Sequence, residues 1–541
     1  MSRQVLSGTE IRPAIMRGVN ILADTVTATL GPKGRCIILE RNPMWPPITT
    51  KDGITVAREV RDLADPFENA GAQLIRQAAM ATSDVAGDGT TTSTLLAQRI
   101  CHKGMAALDA GSNAVAIKRG IDKAVAVVVE HIKKIARPVE NNETIARVGT
   151  VASNGDSIIG NLIAEAMEKV GKDGIITIAD SNNSETTISH HNGMQFDRGW
   201  FHKAFIDDAE KLRTTLENPY ILITDEKMYT LTEDATPELQ RVISEILPSK
   251  RPLLVIASDF DGPFISIMVA ARLNGVLRSV IVKAPSFGDH QTGLLEDLAI
   301  ITGGFAFVGG CGRKVKDIVL DDLGQADEVI IGQSSTTFIG GKGDPYEKEL
   351  RIKLLQALAE NMENQFEKER LKLRVSNLSL GAAVIKVGAI TDAERQEKRD
   401  RVDDAVCATK AAVEEGIVPG GGLALLQCGG VLCDLRNATP EGDEQTGVEI
   451  ILGVLAAPLI QICANAGEDG DAVVAKVLQN LVDEDGHCGY DAATGEYGNL
   501  VERGIIDPAK VVRCALQNAA SVAALILTTG GMVATIPEKR P

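Results

Sequence analysis

Aromatic side chains are scarce. Phe, Tyr and Trp make up 3% of the 541 residues, and only two are Trp. Proteins that read bare bases stack them on such rings, so that class of surface is excluded as the main activity. Positive charge is outnumbered too: 56 Lys and Arg stand against 73 Asp and Glu, a net −17. Such a chain gains little from counterion release, so neither nucleic acid nor an anionic membrane is an expected partner. The nine cysteines are odd in number and lack CxxC spacing, which predicts reduced, mostly buried thiols in a cytoplasmic protein. Cys101-His102 and His487-Cys488 are adjacent pairs, but no second pair follows at zinc spacing. No GxxxxGK[ST] occurs, which excludes a Walker A loop. No uninterrupted apolar run approaches the ~20 residues of a membrane span. The opening "MSRQVLSGTEIRP" has neither an apolar signal core nor an Arg/Ser-rich leader.

What is present is a large apolar fraction, 44%, enough for a sizeable core in several domains. Ile11, Ile15, Val19, Leu22, Val26 and Leu30 form one stripe at spacings of three and four, a helix stopped by "GPKGR", Gly31 to Arg35. "CIILE" reads as a short strand, and "NPMWPP" as a turn. Helical patterns rich in Ala, Ile, Leu and Val run from Phe67 to about Lys134. The middle changes character: "GIITIAD", "YILITD", "PLLVIASD" and "RSVIVKAPSFGD" are β-branched runs with helical patterns between several of them. That alternation predicts an α/β domain with a partly parallel sheet. A charged helix over about 345–375 follows, with Leu350, Leu354, Leu358, Met362 and Phe366 in register. After "AAVIKVGAI" the chain returns to Ala- and Val-rich helices. Helical, mixed, helical implies one domain built from both ends with an α/β unit inserted between them.

"GDGTTT", Gly87 to Thr92, stands at the mouth of a helical pattern. Glycines let backbone approach a ligand, and threonines at a helix N-terminus offer N–H and hydroxyl groups to phosphate. A carboxylate there would repel phosphate unless a divalent cation lay between, so Asp88 suits Mg²⁺. A plain Asp-Gly turn capping a helix uses the same residues, and the hexapeptide alone leaves both readings open. "TTKDG" places Asp52 in a second turn, "VPGGGLAL" is a triple-glycine turn opening a helix, and "RVDDAV" carries Asp403 and Asp404. Asp52, Asp88 and Asp404 would repel one another if they converged, and a metal would relieve this.

"TLGPKGR", "TKDGITVARE", "GDGTTT", "GMQFDRGW", "VIKVGA", "ATKAAVEEGIVPGGG" and "GIIDPAKV" occur in this order over nearly the whole chain. Together they resemble the group I chaperonins, the GroEL type of the 60-kDa family, as a member or a divergent paralogue. The resemblance implies a GroEL-like multidomain fold. A mostly α equatorial ATPase domain would comprise residues 1–134 and 415–541, a small α/β intermediate domain 135–191 and 383–414, and an inserted α/β apical domain 192–382. It implies ATP, Mg²⁺ and K⁺ as cofactors. Asp88 would be the Mg²⁺ ligand, with Gly89, Thr90, Thr91 and Thr92 at the phosphates and Thr29, Leu30, Gly31 and Pro32 packing on the nucleotide. The Thr29 and Lys51 carbonyls would hold K⁺. Asp52 would be needed for hydrolysis, and Asp404 would position the attacking water. Gly421 and Asp507 would meet the ribose side, with Asp491 and Ala493 at the adenine edge, where the family often has Asn in place of Asp491. Hinges are expected at Pro138 with Gly416 and at Gly193 with Gly381.

For partners, the resemblance implies a homo-oligomeric double seven-membered ring, a GroES-type co-chaperonin and unfolded polypeptide clients. The client surface would be Trp200, Phe205, Ile243, Ile265 and Val269, with Ala270 beside them and Phe264 adding area. Ala204, Gln240 and Ala270 are less apolar than the family norm. An insertion is expected around "TEDATPE". Leu380 stands where a hinge glycine is usual, and the C-terminus lacks a Gly-Gly-Met tail. These departures keep open a second function, a holdase or a chaperonin for specialised clients with a reduced folding cycle.

Overall fold

The computed structural model describes residues 2–40, 47–139, 141–153, 155–171, 174–181, 184–208, 212–229, 237–362, 364–379, 381–483 and 487–536. Leu380, the C-terminal tail, most of "NPMWPP" and most of "TEDATPE" lie outside the described residues. The chain forms two compact units, one of residues 1–165, 180–187 and 387–541, the other of 166–179 and 188–386.

The first unit is mainly helical, and its core joins the two ends of the chain. Helix Ile11–Thr27 buries Ile11, Ile15, Val19, Leu22 and Val26 as its periodicity predicts, while Leu30 falls beyond its end in the turn that follows. Pro66–Ala86 starts under Asp65, whose side chain accepts the Phe67 N–H at 2.8 Å, with Pro66 in the first turn. Thr90–Asp109 and Ala509–Leu527 pack with it, and Ala114–Ile135 packs in turn on Ala509–Leu527. The shared core is rich in small residues, among them Ala72, Ala78, Ala79, Ala97, Ala519 and Ala523. Strands Ser2–Ser7 and Gly531–Ile536 pair antiparallel, Ser2 opposite Ile536, which the sequence patterns did not announce. Two helical stretches, Asp443–Ala466 and Ala509–Leu527, reach membrane-spanning length and hydropathy, but 56% and 61% of their apolar windows are buried within the fold. Here such stretches serve as core.

The second unit is built on a ten-stranded sheet. From one edge run Ser279–Lys283, Leu253–Ala257, Tyr220–Thr224, Gly324–Ile331, Thr336–Gly341, Thr187–Phe196, Gly381–Val387 and Ile175–Asp180, with Ala306–Phe307 pairing Tyr220–Thr224 and Thr214–Glu217 pairing Gly324–Ile331 off that path. The first three are parallel, with Ser279 and Tyr220 both registering on Leu253. Helices Pro237–Ile246 and Gly262–Leu273 make the crossovers between them. The hairpin of Gly324–Ile331 and Thr336–Gly341 is antiparallel, so the sheet is partly parallel as predicted. One expectation is corrected: the single charged helix is two, Pro345–Glu360 and Gln365–Ser379. The break lies in "NMEN", where Asn361 Nδ2 bonds back to the Ala357 carbonyl at 2.8 Å and closes the first helix.

Candidate active site

Helix Pro66–Ala86 ends at Gly87, φ +73°, and Thr90–Asp109 begins after Gly89, φ +83°. Both turns use left-handed backbone, which is why glycines bracket Asp88. Asp88 Oδ1 accepts the Gly89 N–H at 2.5 Å. The N–H groups of Thr90, Thr91 and Thr92 form the positive end of the following helix. Ser93 and Thr94 hydroxyls bond back to the Thr90 carbonyl, whereas none of the three preceding hydroxyls is spent on a hydrogen bond among the described residues.

Two further segments close on this loop. The turn of Asp52 and Gly53 abuts it, for a Cβ on Gly53 would lie 2.1 Å from Thr91 Oγ1. Asp52 caps helix Gly53–Glu59, accepting the Ile54 and Thr55 N–H groups at 3.1 and 3.0 Å and the Thr55 hydroxyl at 2.5 Å. From the other side, helix Asp392–Glu415 brings in Asp404, and its Cys407 packs on Gly87, whose added Cβ would sit 2.4 Å from Cys407 Cβ. Asp52, Asp88 and Asp404, about 350 residues apart at the extremes, therefore converge.

Electrostatics register the convergence. Burial pushes the Asp404 carboxyl well above its usual range, and Asp52 and Asp88 add to the shift. Asp88 is raised by burial, opposed by the Gly89 N–H, and raised again by Asp52. Burial, then Asp88, lifts Asp507 to about 7. No three His, Cys, Asp or Glu side chains among the described residues form a metal cage by themselves. Mg²⁺ takes one or two carboxylates and fills its shell with phosphate oxygens and water. The donor set fits: a hard-oxygen carboxylate, Asp88, set beside phosphate-type N–H donors, with excess negative charge for a cation to neutralise.

The remaining candidates fall nearby or apart. Strand Ile417–Pro419 pairs with Ile506–Pro508, Val418 opposite Asp507, and leads into Gly420 and Gly421. A Cβ on Gly420 would lie 3.1 Å from Asp507 Oδ1, and one on Gly421 3.6 Å from Leu500 Cδ1. Asp491 is engaged in its own turn: it accepts the Ala493 N–H and the Thr494 hydroxyl, both at 2.9 Å, with Arg503 at 3.8 Å. Thr29, Leu30, Gly31 and Pro32 form a turn held by Asn465, whose Nδ2 donates to the Thr27 and Leu30 carbonyls at 2.9 and 2.8 Å. Lys51 is exposed beside Asp52. Gly416, φ +83°, lies against the two-way backbone bridge between Arg137 and Ile417, at 2.9 and 2.8 Å. A separate, mainly apolar cavity of about 360 Å³, lined by His131, Arg137, Val418, His487 and Ile506 among others, contains none of the acids.

Sequence reasoning missed the groups that hold Asp404's helix. Arg513 bonds Glu415 through its guanidinium, Nε at 2.6 Å, and Lys510 bonds Glu414 at 2.5 Å. Cys407 was missed too. It follows Asp404 by three, which puts both on one helical face, and that spacing was the available signal.

In the second unit the client-surface residues divide. Trp200 is half-buried with Nε1 bonded to the Leu212 carbonyl at 2.9 Å, and Ile243, Ile265 and Val269 are half-buried against the core. Phe205 is corrected: it is 0% exposed and belongs to the core. Phe264, one position from Ile265, is likewise buried and adds no outer area. Both rings fill space under the crossover helices, where a surface role would have cost that packing.

Two comparisons bear on this arrangement. Residues 22–537 match the TCP-1/cpn60 chaperonin family. The fold is similar to a crystal structure of the chaperonin gp146 from bacteriophage EL 2 (Pseudomonas aeruginosa), obtained in the presence of ATP-BeFx. The TM-score is 0.67 at 20% sequence identity, covering 99% of each chain.

Proposed function

This chain belongs to the TCP-1/cpn60 chaperonin family, and from that premise we propose that it is an ATP-driven chaperone that captures non-native polypeptides and promotes their folding. The observation that carries the proposal is the convergence of Asp52, Asp88 and Asp404 at the open N-terminus of helix Thr90–Asp109. In this reading the Thr90–Thr92 N–H and hydroxyl groups bind and orient the triphosphate. Asp404 holds the attacking water in line with the γ-phosphate and draws on its proton as the new O–P bond forms and the bridging O–P bond breaks, releasing ADP and phosphate. Asp52 fixes its turn against Thr91 and keeps Asp404 polarised. Mg²⁺, when bound at Asp88, supplies charge neutralisation. Gly421 and Asp507 border the ribose side. K⁺ at the Thr29 and Lys51 carbonyls, a cytoplasmic setting, a double seven-membered ring and a GroES-type lid belong to the same proposal, as does the division at 134, 191, 382 and 414.

A second reading, a holdase or specialised chaperonin, has one specific support. Two aromatic side chains expected to enlarge the client surface, Phe205 and Phe264, are buried. The test is a set of assays on the full-length protein: ATP turnover with and without EDTA and K⁺, light-scattering mass with and without ATP, and suppression of aggregation of several denatured clients. Mg²⁺-dependent turnover with broad capture and lid-dependent refolding supports the first reading. Capture without refolding supports the second. Turnover unchanged in EDTA overturns the site.

A further inference from the structure

The turn that carries Asp88 has bare backbone on both sides of the acid, and each bare position is covered by a side chain from a distant part of the chain. A Cβ added to Gly87 would lie 2.4 Å from Cys407 Cβ and 2.7 Å from Cys407 Sγ. One added to Gly89 would lie 2.6 Å from Val511 Cγ1. Contacts that close leave no room for a methyl group, so the thiol and the valine rest directly on the two glycines. The turn has no side chain of its own at these positions, and its place is set by what sits on it. Cys407 comes from helix Asp392–Glu415 and Val511 from helix Ala509–Leu527. Small side chains join the two helices, Ala411 and Cys514 packing with Ala86 and Val511. The Arg513–Glu415 and Lys510–Glu414 ion pairs tie them again at the end of the first. Asn518, roughly two turns beyond Val511, donates to the Thr82 hydroxyl at 3.0 Å and holds the second helix to the one that leads into Gly87.

We propose that Cys407 and Val511 are positioning residues for ATP hydrolysis: they clamp the Gly87–Gly89 turn from two sides, and Cys407 sets the gap between Asp404 and Asp88. The proposal rests on the nucleotide reading of the site. Helical spacing gives Cys407 its leverage. Asp404, Cys407, Ala411 and Glu415 lie within roughly 80° of one another around their helix. That helix is anchored at Glu415 by Arg513. At ~1.5 Å per residue, Cys407 lies roughly 12 Å from the anchor and Asp404 roughly 16 Å. A wedge that lifts the helix by about 1.5 Å at Cys407 therefore swings Asp404 away by about 2 Å. Misplacement of a reacting group by ~1 Å can cost ~10²-fold in rate. Asp404 bears on water, so its displacement slows the chemical step and leaves the bound nucleotide in place. Val511 works on the other side. It rests on Gly89, between Asp88 and Thr90, so loosening it disturbs the groups that bind rather than the group that acts on water. The thiol contributes its size and takes no part in the chemistry.

The experiment measures Mg·ATP affinity by calorimetry and hydrolysis in a single turnover on the full-length protein, with thermal melts to report folding. Cys407→Leu keeps affinity within a few-fold of the wild type and slows hydrolysis by about 10²-fold. Cys407→Ala opens the gap instead and slows hydrolysis by about 5-fold at unchanged affinity, which decides the matter if the larger side chain prevents folding. Cys407→Ser, close to Cys in size, restores both quantities to within ~2-fold. Val511→Ala gives the opposite split, with affinity about 10-fold weaker through lost preorganisation and hydrolysis of bound ATP within a few-fold. The proposal is overturned if Cys407→Leu or Cys407→Ala hydrolyses at the wild-type rate, if variants at both positions lose affinity and rate alike, or if Cys407→Ser is as slow as Cys407→Leu. Wild-type turnover unchanged in EDTA is a different failure: it overturns the nucleotide reading, and this proposal with it, whatever the variants do.

Discussion

In the first unit most of the acids expected at a nucleotide lie beside another: Asp52 and Asp88 add to the raised proton affinity of Asp404, Asp52 adds to that of Asp88, and Asp88 to that of Asp507. In the second unit the residues expected to share one surface part company. Ile243, Ile265 and Val269 stay half-accessible while Phe205 and Phe264 turn into the core. The difference lies in the chemistry of the signals. A carboxylate between glycines is open to two readings, but one buried beside other acids is costly to keep without a partner, so the convergence points to a ligand. A phenyl ring serves a core and a sticky surface equally well, and one residue's displacement, about 100° on a helix, decides between them.

That contrast can be broken at Phe205. If it is core, Phe205→Ala costs about 3–5 kcal/mol of stability, whereas Ile267→Ala, at a position 39% exposed, changes stability by no more than ~0.5 kcal/mol. Urea denaturation of both variants checks this. Equal, small losses would return Phe205 to the surface and erase the distinction between the units.

A smaller effect is expected at Gly416. Its φ is +83°, and an added Cβ would lie 2.5 Å from the Arg137 carbonyl oxygen. Gly416→Ala should therefore cost about 2–3 kcal/mol through strain and contact together. The Arg137–Ile417 backbone bridge should show it as faster amide exchange. Unchanged exchange would mean that the joint yields without strain.

Asp507 sharpens the other half of the comparison. Its carboxyl titrates near 7 in the fold against 3.8 ordinarily. Between those values the folded state holds a proton that the unfolded chain has released, so stability falls as pH rises from about 4 through 7. Asp507→Asn removes that slope. Without nucleotide, the variant should be more stable than the wild type by roughly 1–2 kcal/mol at pH 8 and no different at pH 4. Thermal melts across pH would test it, and an equal slope in both proteins would place the titration elsewhere.

Much of the fold was legible because its signals are local. The stripe from Ile11 to Val26 and the four β-branched runs needed only periodicity. The site was legible in parts, since Gly87 and Gly89 are dictated by backbone sign. What brings the parts together was not. The Arg513–Glu415 and Lys510–Glu414 pairs join residues nearly a hundred positions apart, and nothing in either segment names its partner. The split at Asn361 depended on one side chain turning back on its own helix, and the pairing of the terminal strands spans the whole chain.

The most direct test of the converging acids is one comparison of two variants, with Mg·ATP affinity by calorimetry and hydrolysis in a single turnover. Asp404→Ala should bind Mg·ATP within a few-fold of the wild type yet hydrolyse it about 10²–10⁴-fold more slowly. Asp88→Ala should weaken binding itself, by about 100-fold, or 2.7 kcal/mol. Equal losses of affinity in both variants, or hydrolysis by Asp404→Ala at the wild-type rate, would contradict the account.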